Sequence, residues 1–333
     1  MAQGSRGGWV TCCDGPDSAR LVDGRLVDGG HDAPIFDPRG FGDCLLEQRH
    51  ACWTFVLPPE RAIAIIPWLG NKRAEAFSRL APGRQLDTDL DGRDGHYWHM
   101  LLWDPLRHQL IGGQRLKFVH HNTLEAESIT GDQSYLEHSY PGIYASLVRD
   151  GVSFAEVGRT FVMPGYQGKH WLGELIRGFV HLPEQRRIHL AFGMVSFDQR
   201  EIKSEVVAAF IRCLDGSLFR GDLRLPAPRY AYPIDLVTQL PFDWDGLELS
   251  ALEVMLRLLD DRFLLPPVLR PYRVLCSVEY EGLSVAKSYN QRLQLLFSGR
   301  SELITRQQRR RLPPYPVGCA LWNHGNTFSG VQR

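Results

Sequence analysis

A strand predicted over 152–163 carries two ionisable residues, Glu156 and Arg159, among apolar neighbours. Charged side chains are rarely buried in the middle of a sheet without a partner or a function. One interpretation is that Glu156 is the general base for an attacking amine, directly or through a water molecule. The other is a buried ion pair that fixes the strand, and both stay open at this point. Residues three apart face opposite sides of a regular strand, so only a bulge would bring the two together.

The segment after this strand has the form of a phosphate-binding loop. Pro164, Gly165 and Gly168 precede a helix predicted over 169–181. The first N–H groups of such a helix point toward the loop and attract phosphate oxygens. Glycine lets the backbone approach a ligand closely. Because strand–loop–helix is a common arrangement, the pattern indicates a phosphate site without identifying the ligand.

The residues around this segment resemble a known family. The pattern Glu-x-Gly-Arg-x-Phe-Val-x-Pro-x-Tyr-Gln over 156–167 is similar to bacterial N-acyltransferases that make ornithine, glycine and related amino-acid lipids, a branch of the GNAT superfamily. More distantly, it is similar to long-chain N-acyl amino acid synthases and acyl-homoserine lactone synthases. Further segments resemble the family in the same order, at 89–91, 97–104, 110–116, 142–144, 192–197 and 266–272. The likeness covers about residues 85–297.

The resemblance implies an α/β (α+β) fold of the GNAT-like acyl-CoA N-acyltransferase type, with a central mixed twisted sheet flanked by helices. It also implies direct transfer, in which an amine attacks a thioester carbonyl and a carboxylate takes its proton, without a metal. The implied catalytic residues are Glu156, Arg159 and Arg115. The implied donor-binding residues are Phe161, Val162 and Met163, whose N–H groups stabilise the oxyanion, and Gln167, Gly168, Lys169, His170 and Trp171. The implied acceptor-binding residues are Asp89, Asp91 and Ser196.

The loop bears on the choice of acyl donor. His170 and Leu172 stand where acetyl-CoA enzymes usually have small residues, and a bulky loop is poorly suited to wrap a pyrophosphate. Phosphopantetheine on a carrier protein has a single phosphate, so an acyl carrier protein is favoured over CoA as the source of the thioester. Basic residues that could meet an acidic carrier protein are Lys169, His170, Arg177, Arg186 and Arg187. A solvated helix face is the alternative for each of them.

Composition limits the remaining possibilities. The 333 residues have a formal net charge of zero, without the basic excess typical of nucleic-acid binding. The seven cysteines have no C-x-x-C spacing, which favours reduced thiols. No apolar run approaches the ~18 residues of a membrane span, and the N-terminus has no signal-peptide pattern. We therefore expect a cytoplasmic protein with at most peripheral membrane contact and no permanently bound cofactor.

The predicted organisation is one domain with two unstructured ends. Residues 1–48 read as a flexible leader that contains one short hairpin, 49–298 as the GNAT-like domain, and 299–333 as an Arg- and Pro-rich disordered tail. Within the domain, apolar patterning predicts a hairpin over 97–119, the strand at 152–163, the helix at 169–181 and a buried strand at 188–197.

Together these features predict an N-acyltransferase that moves a long acyl chain from a carrier-protein or CoA thioester to the amine of an amino acid or related small molecule. Two alternatives remain. One is a synthase of an acylated signal or a natural-product amide from the same superfamily. The other is a GNAT-like protein that has lost catalysis and binds an acyl carrier or lipid.

Overall fold

The computed structural model describes in full residues 36–49, 51–78, 88–123, 129–168, 170–215, 221–232, 249–287 and 291–316, and the backbone of 19–22 and 25–28. The last two segments, β1 (Ala19–Val22) and β2 (Arg25–Asp28), pair antiparallel as the predicted N-terminal hairpin.

An eight-stranded sheet forms the centre of the molecule, in the order β3-β4-β5-β6-β7-β8-β10-β9. The strands are β3 (Leu45–Arg49), β4 (Cys52–Leu57), β5 (Trp98–Asp104), β6 (Gln109–Val119), β7 (Phe154–Val162), β8 (Leu190–Phe197), β9 (Glu279–Ala286) and β10 (Arg292–Arg300). Neighbouring strands are antiparallel except β7 and β8, which run parallel. The predicted hairpin over 97–119 is β5 and β6.

Helices cover both faces of this sheet. They are α1 (Pro59–Ala62), α2 (Ile66–Ser78), α3 (Tyr135–Ser139), α4 (Ile143–Arg149), α5 (Trp171–Gln185), α6 (Ser204–Asp215), α7 (Leu249–Leu259), α8 (Leu269–Cys276) and α9 (Arg306–Arg311). Gln114 and Arg115 are adjacent on β6, so their side chains point to opposite faces. Gln114 donates a hydrogen bond to the Leu175 carbonyl of α5, whereas Arg115 lies with Arg73 of α2 around the Asp94 carboxylate.

Both predicted domain boundaries are displaced. The leader was expected to reach residue 48, but β3 pairs with β4 as a sheet edge and Phe36 is buried among aromatic rings. The tail was expected to begin at residue 299, but α9 begins with a capping box at Thr305, and Tyr315 is buried. Apolar side chains at both ends therefore add to the core.

Candidate functional site

A bulge in β7 places the two ionisable residues of this strand on one face. Gly113 of β6 pairs with Phe161 and Arg115 pairs with Gly158, so two residues of β7 oppose Gln114 alone. Arg159, in this bulge, has a φ of 50°, in the left-handed region that a side chain rarely adopts. The bulge turns Arg159 toward the face that carries Glu156. In a regular strand, residues three apart would face opposite sides of the sheet.

Glu156 is buried and its carboxylate accepts four hydrogen bonds. On Oε1, the donors are Tyr97 Oη at 2.6 Å and the Leu136 N–H at 3.0 Å. On Oε2, they are Ser134 Oγ at 2.7 Å and Tyr144 Oη at 2.8 Å. A carboxylate has about four lone-pair positions, and all are occupied here. A further donor could therefore bond to Glu156 only in place of one of these four.

Arg115 joins Glu156 to a cluster of charged residues. Its buried guanidinium donates to Asp94 at 2.9 Å and to Asp91 at 3.0 Å. The same guanidinium lies over the ring of Tyr97, 4.3 Å from its centroid. Since Tyr97 donates to Glu156, one aromatic side chain contacts both the carboxylate and the cation. The two predicted catalytic residues on neighbouring strands are thereby held in one network.

Two further arginines complete the cluster. Arg73 of α2 is buried, donates to Asp94 at 2.9 Å and lies 3.3 Å from the Asp89 carboxylate. Arg93 donates to Asp91 at 3.1 Å. With Arg115 and Arg159, four guanidiniums pair with Asp89, Asp91 and Asp94, and Glu156 joins the network through Tyr97. The formal charges of these eight side chains sum to zero, which offsets the cost of burying them.

The cluster shifts the pKa values of its members. Burial acts to raise the pKa of Asp91, but the charges of Arg115 and Arg159 outweigh it and hold that pKa at about 2. Burial lowers the pKa of His99, beneath the cluster, to about 4, although the nearby Asp94 opposes the shift. The His99 ring Nε2 lies 2.9 Å from the Asp94 carbonyl oxygen, so the neutral ring carries its proton on Nε2. Near neutral pH, Asp91 is ionised and His99 is uncharged.

Arg159 is the most solvent-exposed arginine of the network. Its ion pairs are long, 3.4 Å to Asp89 and 3.6 Å to Asp91, and its side chain is 23% exposed, against 3% for Arg115. Its buried Nε has no hydrogen-bond partner in the described part of the chain. Burial acts to lower the pKa of Arg159, but the charges of Asp89, Asp91 and Asp94 together outweigh it and raise the pKa. A charged donor that faces the open side of the cluster can bind a ligand.

β7 and β8 separate beside this cluster. Their parallel pairing runs from Phe154 and Leu190 to Val157 and Gly193. Met163 donates its N–H to the Ile111 carbonyl at 2.8 Å, toward β6. Because successive residues of a strand direct their N–H groups to opposite sides, Val162 points its N–H toward the side from which β8 has diverged. Phe161 packs its ring edge-on against Phe77 of α2.

The loop before α5 is tied to the end of β7. Gln167 Nε2 donates to the Val162 carbonyl at 2.9 Å, and Gly168 has a φ of 75°. The exposed His170 precedes α5 and lies over the ring of Trp171, whose side chain is buried against Tyr166. Lys169, predicted to bind the donor, lies outside the described residues.

Other predicted contacts lie elsewhere. Ser196 is on β8 beyond the stretch that pairs with β7, is paired with Gln294 of β10, and accepts a hydrogen bond from the Gln294 side chain at 2.8 Å. Arg177, expected to meet a carrier protein, is buried and donates to Glu47 at 2.6 Å, so that expectation is wrong. The guanidinium of Arg186 packs against the rings of Trp98 and Phe118.

Several site residues were not identified from the sequence: Arg73, Arg93, Asp94, Tyr97, Ser134, Tyr135 and Tyr144. A signal existed for three of them. Asp94 belongs to the same acidic stretch as Asp89 and Asp91, and Tyr97 and Tyr144 lie in the family-like segments 97–104 and 142–144. Arg73 and Ser134 had none, because only the fold brings them to β7.

One protein-family model matches part of the sequence. Residues 73–177 match the model of the acetyltransferase (GNAT) domain. This segment is a GNAT acyltransferase domain. The match confirms the resemblance, the GNAT-like fold class and the assignment as an acyltransferase made from the sequence. No curated protein matches the chain.

Three solved structures are among those with a similar arrangement. A CoA-dependent acyl-homoserine lactone synthase, BjaI, has 10% identity, a TM-score of 0.40, and covers 81% of this chain and 97% of its own. The loading GNAT-like domain of CurA from Lyngbya majuscula has 12% identity and a TM-score of 0.32, over 61% of this chain and 76% of its own. FeeM, an N-acyl amino acid synthase from uncultured soil microbes, has 14% identity and a TM-score of 0.28, over 53% and 86%. Such low scores do not identify a donor or an acceptor for this chain.

Within the ranges given above, the helices are too short or too polar to span a bilayer. Among the same residues, no group of three or more His, Cys, Asp and Glu side chains is arranged to hold a metal ion.

Proposed function

We propose that the GNAT domain of this protein transfers a long-chain acyl group from a phosphopantetheine thioester to the amine of an amino acid or related small molecule. The observation that carries the proposal is the bulge at Arg159. It places a charged, polar face at the point where β7 leaves β8. A thioester beside the open stretch of β7 and an amine beside the cluster would meet there.

The donor is assigned to the side where the two strands separate. The Val162 N–H is the proposed hydrogen-bond donor to the thioester oxygen, because Met163 already donates to Ile111. The first N–H groups of α5 and the loop around Gly168 would bind the phosphate. An acyl carrier protein is favoured as the donor because the bulky His170 stands where acetyl-CoA enzymes usually have a small residue that lets the loop wrap a pyrophosphate.

Proton transfer is assigned to Glu156 and the hydroxyl groups bonded to it. As the amine nitrogen bonds to the thioester carbon, its proton passes to the oxygen of Tyr97, Tyr144 or Ser134, whose own proton moves to Glu156. The carbon–sulfur bond then breaks, and the leaving thiolate takes up the proton held by Glu156, which returns through the same hydroxyl group. The bond formed is an amide, and no covalent enzyme intermediate is involved.

The direct test uses a matrix of donors and amines. The full chain is incubated with acyl carrier protein or CoA thioesters of several chain lengths and with a panel of free amines, and products are identified by mass. We expect an acyl-amide from at least one pair, with higher rates from carrier-protein donors. Failure of every pair would contradict the proposed activity and favour a protein that only binds acyl carriers or lipids.

A further inference from the structure

The side chain of Gln114 lies opposite the bulge in β7, where it alone faces two residues, Arg159 and Thr160. It is 2% exposed and is directed toward α5. Its Nε2 donates to the Leu175 carbonyl at 3.0 Å, and its Oε1 accepts a hydrogen bond from Thr160 Oγ1 at 3.4 Å. One amide group thus uses its donor on the helix and its acceptor on the bulge.

The packing around Gln114 confines this amide. Met100 Sδ lies 3.3 Å from its Nε2, and a Cβ on Gly178 would lie 3.0 Å from the same atom. A close-packed interior of this kind holds a side chain in one rotamer. The amide oxygen therefore offers β7 an acceptor at a fixed position.

The bulge leaves a choice of which side chain faces α5. Because two residues oppose one, either of them could take the position beside Gln114. Thr160 takes it, and Arg159 lies on the other face with a φ of 50° and ion pairs of 3.4 Å to Asp89 and 3.6 Å to Asp91. A side chain at such a φ is strained and persists only where its surroundings hold it. Since both ion pairs are long, the bond from Thr160 supplies a second constraint from the opposite face.

We propose that Gln114 is a positioning residue: by binding the Thr160 hydroxyl on the α5 side, it turns Arg159 toward the face that carries Glu156. This inference rests on the proposed N-acyltransferase function, in which Arg159 takes part. Since the same amide is bonded to α5, the orientation of Arg159 depends on the helix that follows the donor loop. Gln114 thereby connects the donor side of β7 to the charged cluster on its other face.

The test uses Gln114→Met, which keeps the length of the side chain and removes both polar atoms. Thr160→Val removes the hydroxyl group, and Thr160→Ser retains it. Gln308→Met is the matched control, because Gln308 also donates to a helix carbonyl, that of Val274, and bonds to a hydroxyl group, that of Ser277, away from β7. We expect Gln114→Met and Thr160→Val to lower kcat/KM for the amine about tenfold, with Thr160→Ser and Gln308→Met near wild type.

Combination with Arg159→Gln distinguishes positioning from a general loss of packing. If Gln114 acts through Arg159, Gln114→Met should have no further effect on kcat/KM once the guanidinium is gone. A further tenfold loss in that background would overturn the inference. So would a wild-type kcat/KM in either Gln114→Met or Thr160→Val.

A crystal structure of Gln114→Met tests the inference without an assay. We expect the φ of Arg159 to become negative and its guanidinium to move away from Asp89 and Asp91. An unchanged Arg159 would overturn the inference. If wild type forms no acyl-amide with any donor and amine, the proposed function fails, but a displaced Arg159 would still support the positioning role. Should Gln114→Met not fold, Thr160→Val replaces it in both experiments.

Discussion

At the scale of single residues, Glu156 connects the chemistry to the packing of the site. Its four donors come from Tyr97, just before β5, from the start of α3 and from α4. The same carboxylate therefore holds two short helices against the sheet and lies beside the proposed path of the proton. The alternative interpretation, a buried ion pair between Glu156 and Arg159, was wrong. The four donors to Glu156 are uncharged groups, and Arg159 is paired with aspartates from outside β7.

Replacing Glu156 by glutamine is expected to lower kcat by at least about 100-fold, because the amide cannot take up a proton. The substitution also places an NH₂ group against hydroxyl donors, at a cost of about 1–3 kcal/mol in the free energy of unfolding. Steady-state kinetics and thermal melting measure the two effects.

The control for this change is Glu281→Gln, since Glu281 is another carboxylate that accepts a hydrogen bond from a serine, Ser298. It should leave kcat unchanged. Turnover in Glu156→Gln equal to wild type would remove Glu156 from the mechanism. If Glu156→Gln does not fold, Tyr144→Phe removes one donor, keeps the carboxylate, and should still slow the reaction.

His99 gives a prediction for stability in acid. Its pKa is about 4 in the folded protein, against 6.5 for an ordinary histidine. The unfolded chain takes up a proton below pH 6.5 and the folded chain does not until about pH 4. Its stabilising contribution is complete above pH 6.5 and is lost as the pH falls toward 4, by about 2 kcal/mol between pH 7 and 5.

Urea denaturation at pH 7 and pH 5 tests this assignment. His99→Gln keeps a donor for the Asp94 carbonyl but cannot titrate, so its loss of stability between the two pH values should be smaller by that amount. His189→Gln, at an exposed position, is the control and should behave as wild type. An unchanged pH dependence in His99→Gln would contradict the assignment.

At the scale of elements, the distance between α5 and the sheet determines where the donor loop lies. Gly178 faces β5 and β6, and a Cβ there would lie 2.2 Å from Met100 Sδ and 3.0 Å from Gln114 Nε2. Gln114 also donates to the Leu175 carbonyl of the same helix. The absence of a side chain at Gly178 thus lets α5 lie close to the strands that carry the site.

Gly178→Ala is expected to destabilise the protein by about 1–3 kcal/mol, because the new methyl group overpacks a filled interface. Gly173→Ala on the same helix is the matched control, since the nearest atom to its Cβ, Leu275 Cδ1, is 3.9 Å away. That change should be neutral or stabilising, as alanine favours a helix by up to about 1 kcal/mol over glycine.

Chemical denaturation of both variants measures these changes in stability. The double variant Met100→Ala/Gly178→Ala tests whether the new methyl group clashes with Met100. The double variant should show a positive coupling, with less loss than the sum of the single changes. Equal stability of the two single-glycine variants would show that α5 does not depend on the close approach at Gly178.

At the scale of the whole molecule, the C-terminal segment closes over α5. Arg177 donates to the Pro314 carbonyl at 3.0 Å and to Glu47 of β3 at 3.0 Å, and lies 4.0 Å from the ring centroid of Tyr315. One buried arginine thus joins the first strand of the large sheet, the donor-side helix and the end of the described chain. This connection explains why both ends of the folded region extend beyond the predicted domain.

Arg177→Met is expected to cost about 3 kcal/mol in the free energy of unfolding, because Glu47 keeps its charge and loses a buried partner. Arg257→Met, at an exposed position on α7, should change stability by no more than about 0.5 kcal/mol. Guanidinium denaturation compares them, and a similar small effect for both would contradict a structural role for Arg177.

The sequence predicted the parts of the molecule in which local patterning and packing agree. The hairpin of β5 and β6, the strand β7 and the helix α5 follow from apolar periodicity, and each lies within a few residues of its expected bounds. The short helices α3 and α4 were missed because long-range hydrogen bonds to Glu156 hold them in place.

In the site, too, the features set by local sequence could be predicted and those set by long-range contacts could not. The sequence showed that Glu156 and Arg159 lie on one strand. It also showed that a bulge would be needed to bring their side chains to one face. The role of Arg73 could not be predicted, since a helix residue with no motif becomes part of the site only when α2 packs on the sheet.

The central claim is direct transfer of an acyl group to an amine, and one time course tests it most directly. With an acyl-carrier-protein donor and a productive amine, released thiol and acyl-amide are quantified together while intact-protein mass spectrometry follows the enzyme. Direct transfer predicts equal amounts of thiol and amide at every time, with the enzyme at its unmodified mass. Thiol release without amide, or an acylated enzyme that forms and decays during turnover, would contradict it.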